Sequence, residues 1–127
     1  MNNNKILIID DDQDFIESTK TILEDNGFKV YSVDEVEEGI NLIQQVEPDI
    51  ILLDIMFPEK RTLGFEAINT IKNKYPQIPI ITMSSINKEY AFNFSKEDTK
   101  TEEFLTKPIK VKKLLETLKK YIKQNGD

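Results

Sequence analysis

Two stretches of the chain are apolar at every position, and each runs straight into aspartate: Ile6 to Ile9 before Asp10, and Ile50 to Leu53 before Asp54. A half-buried strand alternates apolar and polar residues, so an unbroken run of branched aliphatics marks a strand covered on both faces. A parallel sheet layered between helices provides that environment, with helical crossovers joining its strands. The predicted fold class is therefore α/β.

The rest of the chain keeps to this scheme. Five short runs read as strands: Lys5 to Ile9, Phe28 to Val33, Asp49 to Leu53, Pro79 to Met83 and Glu103 to Thr106. Helical patterns alternate with them. Phe15, Thr19, Ile22 and Leu23 form an amphipathic stripe that Gly27 stops. Val36, Ile40 and Ile43 form a second stripe, with Asp34 and Glu37 in capping-box spacing at its start and Pro48 after its end. Phe65, Ile68 and Ile71 mark a third helix, stopped near Tyr75-Pro76, and Val111, Leu114, Leu115, Leu118 and Ile122 a last one with lysines opposite. Between Ser84 and Glu102 the pattern breaks down. Tyr90, Phe92 and Phe94 recur every second residue there, which predicts a short helix or a long, partly irregular loop.

With 127 residues, the expectation is one domain over 1–127 with no output domain attached. The N-terminus turns acidic too soon after its short apolar run for a signal peptide or membrane span, and with no cysteine present the cytoplasm is expected. A net charge of −6 argues against a nucleic-acid backbone as partner. The exception is the segment 105–127, which holds seven lysines against two acids. Cysteine and histidine are both absent, which removes thiol nucleophiles, His-based acid–base chemistry and zinc sites built on those ligands. Oxygen ligands and lysine remain.

In open α/β sheets, ligands bind at the carboxyl ends of the strands. The residues there are Asp10, Asp11 and Asp12 after the first strand, Asp54 after the third, Ser84 and Ser85 after the fourth, and Lys107-Pro108 after the fifth. Asp12 is placed to cap the first helix, leaving Asp10 and Asp11 to face a metal. Gathered carboxylates repel one another unless a cation neutralises them, and a hard divalent ion such as Mg²⁺ fits an all-oxygen set. Lys107 adds a second positive charge. Such a site is built to hold an oxyanion beside a carboxylate.

The segments ILIIDDD (6–12), PDIILLD (48–54) with Pro58 beyond, IPIITMSS (78–85) and FLTKP (104–108) together resemble the receiver domains of two-component response regulators, and the resemblance covers nearly the whole chain. It implies a flavodoxin-like, doubly wound five-stranded parallel sheet of order 2-1-3-4-5. It also implies a phosphoacceptor at Asp54, and Mg²⁺ (or Mn²⁺) held by Asp10, Asp11, Asp54 and the backbone carbonyl of Met56. Lys107 then binds the phosphoryl group, Ser84 is the switch hydroxyl and Phe104 the switch aromatic, and the Lys107-Pro108 bond is cis. The implied partners are a sensor histidine kinase or phosphotransfer protein as donor, since this chain has no histidine of its own, and a downstream protein that binds the switched face.

Departures from the family pattern bear on that face. Gly64 lies ten residues after Asp54 rather than eight, which lengthens the loop 57–64; Lys100-Thr101 replaces the usual Gly-Ala, and Ser85 a small alanine. Phe104 lacks the hydroxyl of the tyrosine often found there. Met56 and Ile86, two residues beyond Asp54 and Ser84, are apolar and cannot orient an attacking water, so slow loss of the phosphoryl group is predicted. An aspartyl-nucleophile hydrolase needs an acid where Met56 stands, and neither a P-loop nor GxGxxG follows the first strand. The competing reading is a receiver-like adaptor that is never phosphorylated and serves only as a protein-binding scaffold.

Overall fold

The computed structural model describes residues 4–54, 61–84 and 101–122. Along the chain come β1 (Lys5–Ile9), α1 (Gln13–Asp25), β2 (Lys29–Val33), α2 (Val36–Val46), β3 (Ile50–Asp54), α3 (Arg61–Lys74), β4 (Ile80–Ser84), β5 (Glu103–Thr106) and α4 (Val111–Tyr121). The strands form one sheet of order β2-β1-β3-β4-β5, with every pairing parallel. This is the flavodoxin-like order expected from the sequence.

The two aliphatic runs occupy the middle of the sheet. Ile6 pairs with Ile50 and Ile9 with Leu53, and side chains alternate across the sheet from there. Ile6, Ile8, Ile50 and Leu52 pack with Ile16 and Leu23 of α1 and Leu114 and Leu118 of α4. Leu7, Ile9, Ile51 and Leu53 face the other way, onto Ile43 of α2 and Ala67, Ile68 and Ile71 of α3. Each such side chain contributes about 2 kcal/mol by leaving water. Leu52→Ala would open a cavity costing about 2–5 kcal/mol.

Helix ends follow local chemistry where packing permits. Asp12 caps α1, its carboxylate accepting from the Phe15 N–H at 3.2 Å. At the other end Gly27 takes a left-handed φ of 91°, and the Gly27 and Phe28 N–H groups donate to the Glu24 and Leu23 carbonyls, a Schellman closure. The start of α2 differs from expectation. Its N-cap is Glu35, with no side-chain capping bond, and Asp34 lies one residue outside. One turn into the helix, a Cβ at Gly39 would come within 2.5 Å of Ile9 Cδ1, so the helix axis sits close on β1.

Three further differences concern edges and ends. Asp54 and Ser84 belong to the ladders of β3 and β4, because their backbones still pair after the apolar run has ended. The third helix begins at Arg61, so Gly64 falls inside α3 rather than in the preceding loop. Val111 is 45% exposed and Thr117 takes a buried place instead; a first-turn residue such as Val111 has neighbours along the axis on one side only. The expected irregular segment lies outside the described residues from 85 to 100, as do Met56 and Pro58. No helix among the described residues is long and apolar enough to cross a membrane.

Candidate functional site

The carboxyl edge of the sheet collects the polar residues in the way the strand order dictates. Asp10 follows β1, Asp54 ends β3, Ser84 ends β4 and Lys107 follows β5, with the Lys107 N–H donating to the Ser84 carbonyl at 2.8 Å. Asp10, Asp54 and Ser84 are buried, and Asp11 is exposed. The Lys107-Pro108 bond is cis, as expected.

Lys107 Nζ donates to Asp10 Oδ2 at 2.6 Å and lies 3.8 Å from Asp54 Oδ1. Asp10 Oδ1 accepts from the Asp12 N–H at 2.9 Å, so each Asp10 oxygen has a donor. Burial raises the Asp10 carboxyl above its ordinary range against the pull of Lys107 and the Asp12 N–H. Asp54 is pushed up to about 7, first by burial and then by the charge of Asp10, with Lys107 opposing. One ammonium thus faces a surplus of carboxylate.

That surplus is what a cation site requires. Ligand oxygens of Asp10, Asp11 and Asp54 lie within 4.8 Å of one another. Oxygens on one Mg²⁺ sit about 3–4 Å apart, so a modest closing of these side chains suffices. The donor set is all oxygen and mixes buried with exposed carboxylates. These residues fit a hard divalent ion.

Asp10, Asp11, Asp54, Ser84 and Lys107, which the sequence placed at strand ends, share one edge. Phe104 is half-buried on β5 and packs on the cluster beneath α2 and α3. Met56 and Ile86 fall outside the described residues. In the sequence Phe15 reads only as part of a helix stripe, whereas its ring centroid lies 4.1 Å from Lys107 Nζ. Its place in the first turn after the acidic run was the available signal. Thr82 was also missed: its hydroxyl donates to the Glu103 carbonyl and meets Thr101 Oγ1 at 3.2 Å, joining β4 to β5 inside the core.

A parallel sheet of this order with an acidic cluster and a lysine at its carboxyl edge defines a class, and family comparison agrees. Residues 6–119 match the response regulator receiver domain family, to which the chain belongs. A two-component response regulator from Clostridium difficile is 27% identical, with a TM-score of 0.82 over 98% of this chain and 100% of that one. A CheY-like receiver domain protein from Methanospirillum hungatei JF-1 is also 27% identical, with a TM-score of 0.81 and 94% of each chain covered. The receiver domain of a signal transduction histidine kinase from Syntrophus aciditrophicus is 25% identical, with a TM-score of 0.80 over 94% of this chain and 89% of that one. Receiver domains are signalling modules rather than dedicated enzymes, and they work with histidine kinases or phosphotransfer proteins.

Proposed function

We propose that this receiver accepts a phosphoryl group on Asp54 from a phosphohistidine on a sensor kinase or phosphotransfer protein. The observation that carries the reading is the convergence of three carboxylates within 4.8 Å, with Lys107 Nζ 3.8 Å from Asp54 Oδ1. A scaffold with no chemistry has no use for buried carboxylates held together at an energetic cost. The chain contains no histidine, so the donor lies outside it.

An oxygen of the Asp54 carboxylate attacks phosphorus in line. The P–N bond to the donor imidazole breaks, its electron pair stays on that nitrogen, and an aspartyl phosphate forms. Asp10, Asp11, Asp54 and the Met56 carbonyl would hold Mg²⁺ or Mn²⁺, whose charge would keep Asp54 ionised at neutral pH and offset charge on the transferred oxygens. Lys107 supplies a second cation to those oxygens. Ser84, at the end of β4, then donates a hydrogen bond to a phosphoryl oxygen, and Phe104 turns inward to alter the protein-binding face next to α4.

Incubation with a small acyl phosphate and Mg²⁺, followed by intact-mass measurement, tests the reading. One phosphoryl group should be gained by the wild type and none by Asp54→Ala. An equal gain in both, or none in either, would remove Asp54 as the acceptor.

A further inference from the structure

Phe15 belongs to the first turn of α1, far from Lys107 in sequence, yet its ring face lies against the lysine ammonium with the centroid 4.1 Å from Nζ. Beside the longer 3.8 Å ion pair with Asp54, two groups hold this cation closely: Asp10 through a hydrogen bond of 2.6 Å, and Phe15 through its π face. The side chain of Lys107 is only 10% exposed, so water screens the contact little. The two holds differ in kind. A carboxylate takes one N–H and offsets the charge, whereas a ring attracts the cation without accepting a directed hydrogen bond. An ammonium has three donors; one is on Asp10, and among the described residues the other two make no hydrogen bond.

We propose that Phe15 is a positioning residue for the phosphotransfer reaction: its ring fixes the Lys107 ammonium beside Asp54 while leaving its charge and two of its N–H groups free for the incoming phosphoryl oxygens. The inference rests on the reading of Asp54 as phosphoacceptor. Its importance grows when a metal ion occupies Asp10, because that ion competes with Lys107 for the same carboxylate and the ring persists as a hold. The anchor itself is well placed. Phe15 packs against the core cluster under α1 and α4, and its N–H is tied to the Asp12 cap, so ring and helix start are set together.

The test is phosphorylation kinetics with a small acyl phosphate and Mg²⁺ for the wild type, Phe15→Leu and Phe15→Tyr, in both wild-type and Lys107→Ala backgrounds. Leucine keeps the apolar packing and removes the π face. The rate should fall about 3- to 10-fold in Phe15→Leu and be restored in Phe15→Tyr, which fits a contact of cation–π strength. In the Lys107→Ala background the same substitution should change nothing, because the ring acts through the lysine. A second readout is independent of the reaction. The Lys107 ε-methylene protons of the metal-free protein should carry a ring-current shift that Phe15→Leu abolishes and Phe15→Tyr keeps. Equal rates in wild type and Phe15→Leu, or an equal slowing in both lysine backgrounds, would overturn the positioning role while leaving Asp54 as acceptor. A wild type that takes up no phosphoryl group would instead defeat the underlying reading.

Discussion

The sheet has a polar cluster at each end, and the two are built on opposite rules. At the carboxyl edge, Asp10, Asp11 and Asp54 gather together, and one lysine pairs with Asp10 and Asp54. At the amino edge, around the starts of β4 and β5, acceptors and donors balance. Glu102 accepts from the Ile80 N–H at 2.8 Å and from Lys72 at 3.0 Å, while its own N–H donates to the Ile80 carbonyl. The Tyr121 hydroxyl reaches the Glu102 carbonyl at 2.9 Å and Glu103 Oε1 at 2.8 Å, and Lys120 stands 3.8 Å from the same Glu103 oxygen. One end ties α3 and α4 to the sheet; the other holds unbalanced charge. An excess of like charge that folding tolerates needs an external partner to explain it, whereas a balanced cluster explains itself.

The largest expected effect comes from Asp54 in metal-free protein. Its folded-state pKa of about 7 stands above the ordinary 3.8, so the folded state binds the proton more tightly than the unfolded chain. Between those values folding takes up a proton, and stability falls as pH rises from about 4 to about 7, by on the order of 4 kcal/mol from this group. Urea midpoints measured without Mg²⁺ at pH 4.5 and 7.5 should separate for wild type and much less for Asp54→Asn. Wild-type midpoints that fail to drop relative to the variant would mean the acidic edge carries no excess. Adding Mg²⁺ at the higher pH should recover most of the loss, since binding to the folded state alone stabilises it.

Lys107→Met comes next. It strands Asp10, and the metal-free protein should lose about 3 kcal/mol at neutral pH, the low end for a broken buried pair because Asp10 can take a proton instead. Mg²⁺ affinity should move the opposite way and rise, since a competing cation has gone. Isothermal titration beside urea unfolding checks both signs. Loss of stability together with weaker Mg²⁺ binding would mean that Lys107 supports the site structurally rather than competing within it.

The contrast between the ends also explains what the sequence could reveal. Strand ends were legible because apolar runs stop at Asp10, Asp54 and Ser84, and the parallel order brings those ends together whatever the loops do. The ladder nevertheless continues one residue further in β3 and β4, because backbone pairing does not depend on the side chain. Asp34 has the right spacing for a cap, yet the helix starts one residue later, at a Glu35 cap with no side-chain bond, and the tight fit of Gly39 on Ile9 is a contact between elements that local pattern cannot register. Phe15 over Lys107, and Glu102 with Lys72, are likewise pairings across the fold. Aliphatic periodicity reports which face is buried. It is silent on which cation meets which ring.

At the amino edge, Glu102→Ala should cost about 2 kcal/mol, because the Ile80 N–H loses its carboxylate and Lys72 its partner. Mg²⁺ affinity should stay at the wild-type value, in contrast to Lys107→Met. A shift in Mg²⁺ binding would show that the starts of β4 and β5 govern the placement of Ser84 and Lys107 at their ends.

Tyr121→Phe is the mildest change and the sharpest probe of whether the two ends communicate. The phenol has one proton for two acceptors, the Glu102 carbonyl and the Glu103 carboxylate, and the carboxylate keeps Lys120 nearby once it is gone. The expected loss is about 1 kcal/mol, the net value of a single hydrogen bond. The ring stays, so packing against the cluster under α1 and α4 is kept. Beryllofluoride titration in the presence of Mg²⁺ should then give the wild-type midpoint. A changed midpoint at nearly unchanged stability would mean that α4 and β5 shift together when the carboxyl edge is loaded, and that the amino-edge cluster sets how far they can move.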